Sequence, residues 1–276
     1  MHELTELIRQ DMCPALGVTE PGAIAFVVAT ARKHTAGAVK HITLRLNSGM
    51  FKNAFTCGIP NSTEVGNCHA AALGACGADP DKRLECLDGI TAEQAQAARN
   101  MAAAGIIKVE MTKITSRIFI EAEVETDTDT SCVTIRDAHT NIVKITENGK
   151  TVYEKPHTAA EESHAEPLIH RYTLAQLHDY ALTVPAEELT FIRKAFELNY
   201  ALCQAGIASP KTTYARCLLE ANDGQMISDD EQKTASLLCN AAIEARVLGL
   251  PEPAMSITGS GAHGIIATMP LYAAYK

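Results

Sequence analysis

The order of apolar and polar positions predicts helices and one strand in the first hundred residues. Residues 3–12 place apolar side chains at helical spacing, and residues 21–29 are apolar nearly all round, which predicts a second, buried helix. Residues 39–46 alternate and predict a strand, whereas residues 49–60 predict an irregular loop. Residues 66–77 are small and apolar, which predicts a tightly packed helix.

Between residues 106 and 154 the period of the pattern changes to two, which predicts strands. Residues 126–130 and the pair Asn148-Gly149 have turn chemistry, so neighbouring strands are expected to pair as hairpins in a largely antiparallel sheet. The strand candidates are residues 108–112, 117–125, 131–136, 141–146 and 151–154.

Helical patterns return after the sheet, with long helices predicted over residues 187–206 and 231–248 and an apolar helix over 264–275. This last helix has no glycine stop and no polar tail, so the pattern predicts that part of the molecule lies beyond it, on another chain or lost. A Ser or Thr followed three residues later by Gln or Glu predicts a capping box at the start of a helix. Thr19 is also predicted to cap the buried helix. The three predicted capping boxes are Thr91 with Gln94, Thr173 with Gln176, and Ser228 with Glu231.

These patterns predict an α+β fold, in which a mostly antiparallel sheet packs with buried helices and is followed by a helical region. The polar, acidic residues 159–167 read as a linker. We therefore expect an α+β domain over residues 1–158 and a helical region over residues 159–276 that ends in a glycine-rich loop and a helix.

Composition narrows the function classes. The 276 residues are 46% hydrophobic and 21% charged, which is typical of a globular chain. A net charge of −9 and the absence of Trp argue against nucleic acid and an anionic membrane as partners. No apolar run reaches membrane-spanning length, and the polar, acidic start lacks the pattern of a secretory signal, so a cytoplasmic location is expected.

Nine cysteines are scattered along the chain, and their odd number argues against a disulfide framework. Cys57, Cys68 and Cys76 fall within a short region and are the candidates for a metal site, because thiolates bind iron and zinc. No Cys-x-x-Cys motif supports them, and buried thiols in an alanine-rich helix are the more common explanation.

The glycine-rich stretch at residues 256–264 reads Ser-Ile-Thr-Gly-Ser-Gly-Ala-His-Gly and precedes the last apolar helix. Glycine amides and a helix start favour a bound anion such as a carboxylate. Thr258, Gly259, Ser260 and Gly261 are therefore candidate substrate-binding residues, and the alternative is a flexible turn before a buried helix. The stretch is neither a P-loop nor a dinucleotide-binding fingerprint, so no nucleotide is expected.

Three further positions carry candidate chemistry. Glu20, beside Thr19 at a predicted helix start, is a candidate acid or base, and simple helix capping is the alternative. Lys52, followed by Asn53, either pairs with a carboxylate or is a solvated loop lysine. His263 has a reference pKa of about 6.5 and is a candidate proton carrier.

Taken together, five sequence blocks resemble the iron–sulfur L-cysteine desulfidase family and the related alpha part of bacterial L-serine dehydratases. The first block, Pro-Ala-Leu-Gly-Val-Thr-Glu-Pro, differs at one position from the family's Pro-Ala-Leu-Gly-Cys-Thr-Glu-Pro. The others are a Lys-Asn loop with a following Pro turn, an Ala-rich helix, a His-Thr-Asn-Ile-Val strand and the glycine-rich block. The blocks lie at residues 14–21, 52–61, 70–75, 139–143 and 255–270.

The resemblance implies a lyase that removes sulfide or water from L-cysteine or L-serine and yields pyruvate and ammonia. It implies a [4Fe–4S] cluster as Lewis acid. For this chain we expect Glu20, Lys52 and His263 to be the catalytic residues, although Ala262-His263 stands where the family has Asn-Gln. We expect Thr19, Asn53, Thr258, Gly259, Ser260 and Gly261 to bind the substrate.

The chain departs from the family at the cluster. Val18 stands where the family has a cluster cysteine, and valine has no atom that binds iron. The other cluster cysteines of the family follow the glycine-rich block, in a C-terminal helical part that a partner chain is expected to supply, which makes a homo- or hetero-oligomer the expected state. The alternative is a cluster-free relative that binds a small carboxylate or a partner chain without elimination chemistry.

Overall fold

A computed structural model describes residues 2–60, 62–156 and 167–276 of the chain. It confirms the predicted α+β class, with helices packed on a mostly antiparallel sheet. The predicted linker lies outside the described residues except for Pro167, and so does the expected domain boundary.

The helices and strands follow the sequence in an order that places most strands in the middle of the chain. The α-helices of the described residues are α1 (Glu3–Asp11), α2 (Thr19–Lys33), α3 (Ser48–Asn53), α4 (Gly66–Cys76), α5 (Ala92–Ala103), α6 (Leu174–Thr183), α7 (Arg193–Ala208), α8 (Tyr214–Ala221), α9 (Glu231–Val247) and α10 (Gly261–Tyr275). The strands are β1 (Cys13–Leu16), β2 (Val39–Leu46), β3 (Ile107–Met111), β4 (Phe119–Thr126), β5 (Thr130–Arg136), β6 (Ile142–Glu147), β7 (Lys150–Glu154) and β8 (Pro253–Ser256).

Six strands form one sheet in the order β3-β2-β4-β5-β6-β7, with β2 and β3 parallel and the other neighbours antiparallel. The alternation in β2 buries Ile42, Leu44 and Leu46 completely on one face. Because α2 lies against β4 and β5, it covers this apolar face. The five strands predicted from period-two patterns are thus confirmed, with ends within two residues of the expected ones.

Helix α2 is buried on every side, as its unbroken apolar composition predicts. Helix α4 packs against it at very short range, because a side chain at Gly74 would lie 2.6 Å from the carbonyl oxygen of Ala25. The small residues of α4 therefore allow two buried helices to meet backbone to backbone at the middle of α2.

A second core forms among α7, α9 and α10, around Leu202, Leu238 and Ile265. Two short strands that the sequence did not predict join the opposite ends of the described chain. Strand β1 pairs antiparallel with β8, from Cys13 opposite Ser256 to Leu16 opposite Pro253. This pairing brings the segment before α2 beside the glycine-rich stretch.

Several local predictions need correction. The predicted loop over residues 49–60 contains α3, and α2 begins after Val18 without a side-chain cap, so Thr19 is not the capping residue. Asp230 rather than Ser228 caps α9, because its carboxylate accepts a hydrogen bond from the amide of Lys233. The capping boxes at Thr91 and Thr173 are confirmed.

The contact between α10 and β8 predicts the effect of one substitution. A methyl group at Gly264 would lie 1.8 Å from the carbonyl oxygen of Met255, so Gly264→Ala has to push α10 away from β8. We expect a loss of about 1–3 kcal/mol in the free energy of unfolding, the usual cost of overpacking, measured by urea denaturation. Ala267→Ser, on the exposed face of the same helix, serves as the control, and equal stabilities of the two variants would contradict the close contact.

Candidate functional site

A cavity of about 380 Å³ lies where the start of α2, the end of α3, the end of α9 and the glycine-rich stretch meet. Its volume falls within the range of small-molecule sites. Residues that are more than 200 positions apart in sequence share its lining, and the polar ones include Glu20, Lys52, Asn53, Cys57, Arg246 and Ser260.

The Glu20 carboxylate is fixed by two hydrogen bonds. Asn53 Nδ2 donates to Glu20 Oε1 at 2.8 Å, and Thr19 Oγ1 donates to Glu20 Oε2 at 3.1 Å. The Thr19 hydroxyl also lies 3.4 Å from the carbonyl oxygen of Gly259. Since Glu20 stands in the first turn of α2, the helix dipole favours its negative charge. The carboxylate is thus held in one orientation in the cavity.

The glycine-rich stretch forms a two-residue hairpin turn. The amide of Ser260 donates to the carbonyl oxygen of Ile257 at 3.0 Å, and the amide of Ile257 donates back to Ser260 at 3.1 Å. Thr258 and Gly259 have φ values of 53° and 73°, as a type I′ turn requires. The Ser260 side chain then accepts from the amide of His263 and caps α10.

Arg246, in the last turn of α9, is the most deeply buried cation of the cavity. Only 7% of the residue is exposed, and its Nε has no hydrogen-bond partner among the described residues. Burial lowers the pKa of Arg246, and the nearby Glu20 and Cys57 partly oppose this effect. The loop before α4 approaches α9 closely at this point, because the amide of Gly58 donates to the carbonyl oxygen of Val247 at 3.0 Å.

His139 lies beside the cavity, against the glycine turn. A side chain at Gly259 would lie 3.5 Å from the Nδ1 and Cε1 atoms of the imidazole, so the ring packs on the turn. Burial lowers the pKa of His139 below its usual 6.5, with Glu20 raising it and Arg246 lowering it further. Burial thus favours the neutral form of the imidazole over the charged one.

The structure gathers most of the residues predicted for catalysis or substrate binding around this cavity and leaves three out of its lining. Thr19, Glu20, Lys52, Asn53, Gly259 and Ser260 line it, whereas Gly261 packs against Arg246 without lining it. Thr258 and His263 are both exposed and do not line it. They contact each other instead, with Thr258 Oγ1 and His263 Nδ1 2.7 Å apart. The amide of Thr258 is also occupied, because it donates to Asp11 Oδ2 at 2.8 Å.

The candidate metal cysteines do not converge. Cys57 lines the cavity and its thiol donates to the carbonyl oxygen of Asn53 at 2.9 Å, whereas Cys68 and Cys76 both lie on α4. Burial raises the pKa of all three thiols. Within the described residues, no group of three or more Cys, His, Asp or Glu side chains could hold a metal ion.

Sequence reasoning missed Arg246, and it left open whether His139 is polar lining of a site or only a strand edge. Arg246 falls inside a long predicted helix, where an arginine is usually solvated, so its position alone gave no signal. Its alanine-rich surroundings, Ala-Ala-Ile-Glu-Ala-Arg, were the available hint, because they indicate a buried helix face. His139 stands in the His-Thr-Asn-Ile-Val block, which already pointed to this loop.

No helix of the described residues is long and apolar enough to cross a bilayer.

No family model and no solved structure matches the chain. Among curated proteins, the chain is similar to a UPF0597 protein of Dichelobacter nodosus, with 36% identity over 271 residues that cover 98% of the chain. UPF0597 proteins of Clostridium botulinum (strain Langeland) and Oleidesulfovibrio alaskensis are each 34% identical to it over 98% of its length.

The name UPF0597 states no activity, so the resemblance to iron–sulfur lyases stays a prediction. The chain spans about 63% of the length of each of these relatives. It is thus similar, over nearly all of its own length, to the larger part of a UPF0597 protein.

Proposed function

We propose that this chain provides the substrate pocket of a lyase that acts on L-cysteine or L-serine by β-elimination. The observation that supports the proposal best is the Glu20 carboxylate, which is held on both oxygens in a cavity that also contains Arg246. A fixed carboxylate and a buried cation that line the same cavity suit a small zwitterion better than an apolar or polyanionic ligand.

The reaction removes a proton from the α carbon and breaks the bond from the β carbon to sulfur or oxygen. The α C–H electrons form the new double bond, the leaving group departs as sulfide or water, and the resulting aminoacrylate reacts with water to give pyruvate and ammonia. Glu20 is the proposed base, because it is the fixed carboxylate of the cavity. Lys52, exposed at the rim, adds positive charge near an anionic substrate.

The neutral His139 suits a second proton transfer. Its ring packs on Gly259 beside the cavity, and burial lowers its pKa, which favours the neutral imidazole over the protonated one. A neutral imidazole can relay a proton, with one ring nitrogen donating to the leaving group while the other accepts, so that sulfide or water departs protonated. A neutral imidazole also avoids placing a second full positive charge near Arg246.

A [4Fe–4S] cluster does not fit the residues present. Val18 has no ligating atom, and Cys57, Cys68 and Cys76 join no group of three ligands in the described ranges. We therefore derive no step through a cluster. The proposal rests instead on Glu20, His139 and Arg246 as binding and proton-transfer groups in or beside the cavity.

A second candidate function is a cluster-free relative that binds a small carboxylate without eliminating from it. Val18 at the position of the family's cluster cysteine favours this alternative. In both cases we propose a cytoplasmic protein that pairs with further copies or with a partner chain. The nine free thiols support a reducing compartment.

Replacing Glu20 tests the lyase proposal. Pyruvate and sulfide are measured with anaerobically purified protein and L-cysteine, and pyruvate with L-serine. Glu20→Gln keeps the shape of the side chain but removes the base, so we expect kcat/KM to fall by about 10²–10⁴-fold. Glu125→Gln, an exposed position on β4, is the matched control and should behave as the wild type.

Equal activity of the Glu20→Gln and wild-type proteins would contradict the role of Glu20. Binding of L-cysteine or L-serine without any pyruvate from the wild type would support the non-eliminating alternative. If neither binding nor pyruvate is found, both functions are wrong.

The lowered pKa of His139 predicts how stability depends on pH. Above pH 6.5 the imidazole is neutral in both the folded and the unfolded chain. As the pH falls from 6.5 towards the lowered pKa, the unfolded chain takes up a proton that the folded one does not, so the free energy of unfolding decreases. We expect a smaller decrease for His139→Asn, measured by urea denaturation between pH 7 and pH 5.

The exposed His263 provides the comparison for this measurement. His263→Asn should retain the pH dependence of the wild type. If His139→Asn retains it as well, the imidazole of His139 is not held neutral by the fold.

A further inference from the structure

The guanidinium of Arg246 has an unfinished set of interactions. Only 7% of Arg246 is exposed to solvent. Its Nε lacks a hydrogen-bond partner within the part of the chain that the structure describes. A buried cation without an anionic partner is costly, because the charge leaves water without compensation. Such a group persists where a ligand completes its interactions.

Glu20, the carboxylate that shares the cavity with Arg246, does not serve as its hydrogen-bond partner. Both oxygens of Glu20 already accept hydrogen bonds, from Asn53 Nδ2 and Thr19 Oγ1. Glu20 influences Arg246 through the field across the cavity rather than through an ion pair. The negative charge of Glu20 and the positive charge of Arg246 thus line the same cavity without forming an ion pair within the described residues.

The backbone makes room for this guanidinium at Gly261. A side chain there would lie 2.5 Å from Arg246 Nε and 3.2 Å from Cζ, so only glycine allows the start of α10 to pass so close. Gly261 has no left-handed backbone conformation that would itself require glycine. The reason for a glycine at this position is thus the space that Arg246 occupies.

We propose that Arg246 is the residue that binds the carboxylate of a small monocarboxylic ligand, and of an α-amino acid in particular. A guanidinium presents a planar fork of donors that matches a carboxylate. With the carboxylate bound to Arg246, the α carbon and its ammonium group would lie in the cavity that Glu20 also lines. The choice of an amino acid as ligand rests on the proposed function, whereas the carboxylate site itself does not.

Calorimetric titration of the full chain with three compounds tests the site. L-Serine carries both charges, 3-hydroxypropionate lacks the ammonium group, and L-serinamide lacks the carboxylate. We expect wild-type protein to bind L-serine and 3-hydroxypropionate and to bind L-serinamide at least 10-fold more weakly. Arg246→Met should weaken L-serine binding by about 10- to 100-fold, the range for losing a charged hydrogen bond, and abolish the preference over L-serinamide.

Two more conservative variants test the role of the guanidinium even if Arg246→Met does not fold. Arg246→Lys keeps the charge but not the fork, and Gly261→Ala displaces the guanidinium without removing it. Both should bind L-serine more weakly than the wild type. Arg216→Met removes an exposed arginine on α8 and should leave binding unchanged.

Thermal melting gives a second readout that a purely structural arginine would not produce. Because Arg246→Met removes a desolvated charge, we expect its Tm without ligand to equal or exceed that of the wild type. L-Serine should raise the Tm of the wild type and leave that of the variant unchanged. A large fall in Tm for Arg246→Met would instead mark Arg246 as a structural residue and overturn the proposal.

Parallel pyruvate assays separate this proposal from the lyase. Binding that depends on Arg246 without pyruvate would refute the lyase and leave the carboxylate site intact. Pyruvate formation that is unchanged in Arg246→Met would refute the carboxylate site alone. If L-serinamide binds as tightly as L-serine, or if neither carboxylate binds the wild type at millimolar concentration, Arg246 is not a carboxylate site.

Discussion

The arrangement of the cavity depends on the antiparallel pairing of β1 with β8, only four residues on each side. This ladder fixes the segment that leads into α2 against the segment that leads into the glycine turn. One core is built around the sheet and α2, and the other around α7, α9 and α10. Because the polar side chains of the cavity come from both cores, a change in this register would separate Glu20 from Ser260.

Close packing and charge burial have opposite effects in this region. The backbone of α4 at Gly74 packs directly on α2 at Ala25 and leaves α2 little freedom to move. Apolar packing of this kind, outside the cavity, therefore helps to set the position of Glu20. Arg246 is held by the same rigid frame without a hydrogen-bond partner for its Nε among the described residues. Strong packing around a polar group that is poorly satisfied is a common property of binding sites, because the ligand supplies what the fold omits.

Much of this architecture could be predicted from the sequence, and the omissions have physical causes. The alternation over residues 39–46 and the apolar composition of α2 predicted β2 and the buried helix, because these segments are long enough to show a period. Strands β1 and β8 are too short to show one, and their pairing depends on contacts 240 residues apart. The helix-start predictions were wrong at Ser228 because the neighbouring Asp230 offers an equally good capping carboxylate.

For the site as well, local sequence signals were readable and features that depend on the fold were not. Thr19, Glu20, Lys52, Asn53 and the glycine turn were predicted from local chemistry, since each stands in a predicted helix start or loop, although Lys52 and Asn53 in fact end α3. Arg246 was not found, because its importance comes from burial, which a single sequence does not show directly. Thr258 lies outside the cavity, as the first left-handed residue of the type I′ turn, and the exposed His263 in the first turn of α10 contacts it there.

The bond between the Asp11 carboxylate and the Thr258 amide has a practical meaning for work on this protein. Thr258 is a β-branched residue in a left-handed conformation, which is unfavourable by about 1–3 kcal/mol unless neighbours hold it. The last residue of α1 is one of those neighbours. A shortened version that starts at β1, although it retains every cavity-lining side chain, would release the turn that presents Gly259 and Ser260.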